Sequence, residues 1–210
     1  MTSDILRSFF KPLKDIFLKT KPAEGVTTIV SGLPRSGTSM MMQILEAGGL
    51  TPVTDNVRLA DASNAKGYYE HEAVKALSKG DYRCLLNAEG CAIKIISSLL
   101  MFLPSDRQYK IIFMRRDINQ ILKSQTAMLH TLNKEADSSS DHKMKILYSQ
   151  HLHKVSKWIE SKNNIDVLYI DYDQILEKPS AHIHKLKNFI DQAVDTRKMT
   201  TCIDKRMRHN

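Results

Sequence analysis

The chain has 210 residues, 42% of them apolar and 26% charged, with a formal net charge of +8. That length suits a single domain of about 100–200 residues with a real core, and the composition is that of an ordinary globular protein. No apolar run approaches the roughly 18–20 residues of a membrane-spanning helix. The three cysteines, Cys84, Cys91 and Cys202, show no CxxC or Cys/His spacing, which excludes a disulfide framework, points away from zinc and makes a reduced, cytoplasmic setting the default. Excess positive charge concentrates anions such as nucleotides, nucleic acids, acidic glycans or membrane surfaces, and it serves solubility equally well.

Residues 1–24 form a basic segment apart from the rest. Ile5, Leu6, Phe9, Phe10, Leu13, Ile16 and Phe17 recur near helical spacing, with Pro12 interrupting them. Arg7, Lys11, Lys14 and Lys19 break the continuous apolar core that a secretory signal needs. Such a helix packs on its own domain or lies on a membrane surface through residues 1–21.

A second region, 25–210, reads as the globular domain. Val26–Val30 is a strand, Gly32–Gly37 a turn and Thr38–Ala47 a helix stopped by Gly48 and Gly49. Cys91–Ile96 and Tyr109–Met114 are apolar runs of strand length, and Ile118–Thr131 has helical periodicity. Asn133–Asp141 reads as a mobile loop, His142–Lys162 as a long helix anchored by Trp158, Asp166–Ile170 as a strand and Ser180–Ile190 as a helix. Repeated strand-then-helix order predicts an α/β fold, a single-domain parallel sheet flanked by helices. A ligand then belongs at the carboxyl ends of the strands.

The most informative stretch runs from Thr28 through Gly32-Leu-Pro-Arg-Ser-Gly-Thr-Ser39. A strand, a glycine-bounded turn and a helix start make a nest of backbone N–H groups for a phosphate. Gly32 and Gly37 have the GxxxxG spacing of a nucleoside-triphosphatase loop, but Thr38 stands where its lysine belongs and the cation sits inside the turn as Arg35. A second stretch places Arg116 at a strand end, Asp117 as a helix cap and Ser124 eight positions after Arg116 on the same helix face. A guanidinium fork with a hydroxyl suits a second phosphate, and Arg115 competes with Arg116 for the role.

Together, Pro34-Arg-Ser-Gly-Thr-Ser39 and Arg116…Ser124 resemble the motifs of sulfotransferases of the bacterial type, which use 3′-phosphoadenosine-5′-phosphosulfate (PAPS). The resemblance spans roughly Val26 to Ile203. It implies a P-loop-like topology and sulfuryl transfer to a small-molecule or glycan acceptor, with no nucleic-acid partner; the absent Walker lysine and the lack of a Cys/His or paired-carboxylate cluster lead us to expect no metal. Arg35 would reach the phosphosulfate, Ser36, Gly37, Thr38 and Ser39 would hold the 5′-phosphate, and Arg116 with Ser124 the 3′-phosphate. Tyr172, in Tyr169-Ile-Asp-Tyr172, matches a tyrosine near the adenine, while Asp171 looks like a Walker B aspartate and keeps a small-molecule kinase as the alternative. A catalytically degenerate nucleotide-binding module is the non-enzymatic alternative. Lys94 matches the lysine that supports the leaving group, but Ile96 stands where many cytosolic members carry a histidine base, and the Asp-Pro that often follows the lysine is absent. Asn64-Ala-Lys-Gly-Tyr-Tyr-Glu70 is similar to a bacterial motif that makes Glu70 the base, with His71 and Glu72 as rivals. Loops at Thr51–Lys66 and Asn133–Asp141 are expected to shape the acceptor pocket.

Overall fold

Among the described residues five strands alternate with helices, and the central strands are the most deeply buried. The structure is a computed structural model that describes residues 25–55, 57, 67–86, 88–131, 141–190 and 192–203. The expectations for residues 1–24, and for most of the stretches at 56–66 and 132–140, lie outside the described residues.

Strand β1 (Thr27–Gly32) is buried at every position, as a central parallel strand must be. Strands β2 (Thr51–Val53), β3 (Cys91–Lys94), β4 (Tyr109–Arg115) and β5 (Ile165–Asp171) complete an all-parallel sheet in the order β2-β3-β1-β4-β5. Register aligns Val30 of β1 with Lys94 on one side and Ile112 on the other, and Arg115 of β4 with Asp171 of β5. The carboxyl ends of β1, β3, β4 and β5 therefore form one edge, which carries Gly32, Lys94, Arg115 and Asp171.

Side chains alternate across the sheet. Val30, Ile112, Met114 and Ile170 pack with helices α1 (Thr38–Ala47), α4 (Tyr172–Glu177), α5 (Pro179–Phe189) and α6 (Thr196–Cys202). Ile29, Ile93, Ile111 and Phe113 pack on the other face against α3 (Asp141–Glu160) and the 3-10 turns Glu72–Lys79, Arg83–Leu85 and Ser97–Phe102. Helix α2 (Ile118–Thr131) follows β4 directly.

Three details depart from the sequence-based expectations. The third strand in sequence ends at Lys94 instead of continuing to Ile96, which is 38% exposed. Thr51–Val53, expected in an acceptor loop, pairs with β3 as an edge strand. Finally, Val155 and Ile159 anchor α3, whereas Trp158 is half-buried with the Lys162 ammonium 5.4 Å from its ring, because a ring that large at the helix flank reaches the core only with one side.

Candidate active site

The loop between β1 and α1 is shaped by its glycines. Gly32 and Gly37 have φ of +148° and +99°, and neither has room for a side chain. A Cβ on Gly32 would lie 2.4 Å from the Ser36 hydroxyl, and one on Gly37 would lie 2.5 Å from the Tyr172 ring. Arg35 takes the left-handed region at φ +70° without being glycine, a strain tolerated mostly at functional turns. The Ser36 hydroxyl is buried, 1% exposed, with no hydrogen-bond partner among the described residues. The first turn of α1 carries no carboxylate to repel an anion. An orphaned hydroxyl, a helix N-terminus and a cradle that a Cβ would fill together suit a phosphate.

Across the sheet edge, the β4–α2 junction supplies a second cationic cluster. Asp117 caps α2 by accepting from the Gln120 amide at 3.1 Å. Arg116 extends beside the loop: its Nη1 donates to the Arg35 carbonyl at 3.1 Å and its Nε to Gln120 at 3.1 Å. Its guanidinium lies 4.3 Å from the centroid of the Tyr172 ring. The Arg35 Nε donates to the Ser124 hydroxyl at 3.0 Å, and Ser124 is 3% exposed. Arg35, Arg116 and Ser124, far apart in sequence, thus form one cluster.

Arg115 turns away from this cluster. It makes two hydrogen bonds, of 3.0 and 2.9 Å, to the Asp171 carboxylate and lies over Tyr169. Strand alternation separates the two arginines, and the pairing engages the aspartate that looked like a Walker B residue. Tyr172 is 5% exposed, set against Gly37 and under Arg116. Burial raises its phenol pKa, against the pull of Arg116. One face of its ring is covered by the Arg116 guanidinium.

On the other flank of β1, Lys94 is 7% exposed at the end of β3. Its ammonium donates to the Tyr68 carbonyl, to the Ser39 hydroxyl at 3.4 Å and to the Glu70 carboxylate at 3.3 Å. Ser39 also donates to the Tyr68 carbonyl at 3.3 Å, tying α1 to the same point. Tyr69, at φ +52°, turns the chain so that the Tyr68 carbonyl and the Glu70 side chain both meet Lys94. The turn is held from β2's end: the Thr54 hydroxyl donates to the Glu70 carbonyl at 2.9 Å, and the Asp55 carboxylate accepts from the Glu72 amide at 2.5 Å. The backbone N–H groups of Glu72 and Val57, both donating to it, hold the Asp55 carboxyl below the usual carboxylate range.

Glu72 leaves this group; it opens the 3-10 turn and pairs with Lys75 at 2.6 Å. His71 accepts from the Ala73 amide at 3.2 Å and caps the same turn. Lys94, Glu70 and Ser39 are brought together, and Glu72 is not.

Sequence reasoning passed over three contributors. Gln120 stands one helical turn after Arg116 and links it onward to Asp173 at 3.0 Å; its i+4 spacing is the signal. The Tyr68 carbonyl carries no side-chain signal at all. His151 of α3 lies 2.9 Å from the buried Ser97 hydroxyl, just past Ile96, and burial lowers its imidazole pKa. A cavity of about 520 Å³ opens between α2, α3 and the sheet, lined by Leu33, Ser36, Phe113, Arg116, Leu152 and Tyr169 among others. Neither Lys94 nor Glu70 borders it. Among the described residues, no three His, Cys, Asp or Glu side chains converge as metal ligands, and no helix is long and apolar enough to cross a membrane.

The glycine-bounded loop and the two cationic clusters lie together at the carboxyl edge of a parallel α/β sheet. The sulfotransferase domain family matches residues 27–210, and the chain belongs to that family. Among solved structures, the fold is similar to the sulfotransferase domain from the curacin biosynthetic pathway, with a TM-score of 0.50 and 11% identity over 88% of this chain and 79% of that one. No curated protein sequence matches the chain.

Proposed function

We propose that this sulfotransferase domain uses PAPS as donor and an acceptor hydroxyl or amine of a small molecule or glycan. The observation that carries the reading is the pair of anion-binding clusters on one sheet edge: the loop 32–39 on β1, and Arg116 with Ser124 on β4–α2, joined through Arg35. A donor with phosphate at both its 5′ and 3′ positions needs two such clusters; AMP and ATP need one.

When bound, PAPS supplies a sulfur–oxygen bond activated by a phosphate leaving group. Ser36 to Ser39 and the first amides of α1 hold the 5′ end, and Arg116 with Ser124 the 3′-phosphate. Lys94 holds its ammonium beside Ser39, where negative charge grows on the leaving oxygen. Glu70, held against Lys94, takes the acceptor's proton. The acceptor approaches along the β2–β3 flank, since the 520 Å³ cavity lies away from Lys94 and Glu70.

A small-molecule kinase is the second reading, and the Asp171–Arg115 pairing counts against it because the aspartate is already engaged. The deciding experiment compares thermal shifts with PAP, AMP and ATP, with and without Mg2+. Stabilisation by PAP well above that by AMP, independent of Mg2+, is expected. Stabilisation by ATP only with Mg2+ overturns the reading.

A further inference from the structure

We infer that Asp55 is a positioning residue for Glu70: its carboxylate, just past the end of β2, fixes the stretch 70–72 so that the Glu70 side chain is held at Lys94. The inference rests on the reading of Glu70 as the acceptor's base and gives Asp55 the part of aiming it.

Three observations carry it. The edge strand brings Asp55 to the reaction centre, because Val53 of β2 is in register with Ile93, the residue before Lys94, so that β2 and β3 end side by side. Hydrogen bonds from Thr54 and Asp55 then grip the stretch 70–72 at both ends. The Thr54 hydroxyl at 2.9 Å and the Asp55 amide at 3.4 Å both donate to the Glu70 carbonyl, and Asp55 Oδ2 accepts from the Glu72 amide at 2.5 Å. The Glu70 main chain is thus held from β2 while its carboxylate meets Lys94 at 3.3 Å. Finally, Asp55 is itself fixed, since its Oδ1 accepts from the Val57 amide at 3.0 Å in an Asx turn. A carboxylate offers two acceptor oxygens, and here each has its own backbone N–H; an asparagine would offer one. Bonds to a charged acceptor are roughly twice as strong as neutral ones. The rigidity matters because a base must lie within about 2.6–3.2 Å of the proton it takes, and a misplacement of about 1 Å can cost about a hundredfold in rate.

The test is initial-rate kinetics of the full chain with PAPS and two acceptors, cyclohexanol and the acidic para-nitrophenol. The proteins compared are the wild type, Asp55→Ala, Asp55→Asn, Glu70→Gln and the double variant of Asp55→Ala with Glu70→Gln. Asp55→Ala is expected to lower kcat on cyclohexanol by about ten- to a hundredfold while KM for PAPS stays unchanged. On para-nitrophenol, which gives up its proton unaided, the loss should nearly vanish. Asp55→Asn, with one acceptor oxygen in place of two, is expected to fall between Asp55→Ala and the wild type. The double variant should lose no more than Glu70→Gln alone, because Asp55 acts through Glu70. A merely structural role for Asp55 predicts equal losses on both acceptors, or losses that multiply in the double variant; either result overturns the inference and leaves Glu70 as the base. A wild-type rate for Asp55→Ala on cyclohexanol overturns it too. A wild-type rate for Glu70→Gln on cyclohexanol removes the base reading and this inference with it, and a wild type that sulfates neither probe overturns the reading of a hydroxyl acceptor. Should Asp55→Ala unfold, Asp55→Ser, whose hydroxyl can still accept the Val57 amide in the same kind of turn, gives the same comparison.

Discussion

The two flanks of β1 hold positive charge in opposite ways. On the β3 side, a single ammonium is nearly sealed from water and faces a carboxylate at 3.3 Å. On the β4 side, the Arg35 and Arg116 guanidiniums spread over hydroxyl, side-chain amide, carbonyl and aromatic partners. A buried, paired charge in a poor dielectric acts strongly over a short distance, which suits a bond being broken. A planar cation resting on an aromatic ring suits a permanent anion that must be recognised and released. Under the proposed function, chemistry and recognition are divided across one strand.

Glu70→Gln tests that division most severely. It keeps the shape while removing the proposed base, and the expected loss in kcat is about 10²–10⁴-fold on an alcohol acceptor. The loss should shrink along a series of increasingly acidic phenols, measured by initial rates, because these give up their proton unaided. A near-normal rate in Glu70→Gln, with a collapse in His151→Ala, would move the base to α3.

Lys94→Ala comes next. Loss of a charge that matters only in the transition state should lower kcat by about 10²–10³-fold, while PAP affinity by calorimetry stays close to that of the wild type. A large loss of PAP affinity would place Lys94 in ground-state binding and dissolve the contrast between the flanks.

On the recognition side, Arg116→Ala is expected to weaken PAP by about tenfold or more and AMP hardly at all. Equal losses for the two ligands would remove the 3′-phosphate from this flank. The smallest expected effect belongs to metal removal: EDTA should leave the transfer rate unchanged, and a rate abolished by EDTA and restored by Mg2+ would favour the kinase.

The loop between Gly32 and Gly37 and the Arg116…Ser124 unit were legible in the sequence as strand–turn–helix units because their signals are local. The glycine pair, the helix start and the spacing from Arg116 to Ser124 each lie within one strand–turn–helix unit. Choosing between Arg115 and Arg116 was harder, since it depends on which face each leaves at the strand end and on Asp171 lying opposite in register. The meeting of Lys94 with Glu70 was expected only through family resemblance; its physical cause is a backbone turn at Tyr69 that no composition rule signals. The packing of Tyr172 was not legible either: the absence of a Cβ at Gly37, far away in sequence, gives its ring a place to pack. The 3-10 turns at Glu72–Lys79 and Ser97–Phe102 escaped notice because their packing, not their periodicity, holds them.

Among the described residues, Arg35 and Tyr69 are the two non-glycines with positive φ, and each sits in one of the two charge clusters. Each such backbone costs on the order of 1–3 kcal/mol in folding free energy. Stability and turnover are therefore opposed at these two places. Replacing Tyr69 with glycine eases the backbone but removes the ring whose hydroxyl donates to Glu46 of α1 at 2.5 Å, and with it the rigidity that aims Glu70. Selection for heat resistance alone would drift toward relaxing these turns, and selection for catalysis would keep them strained.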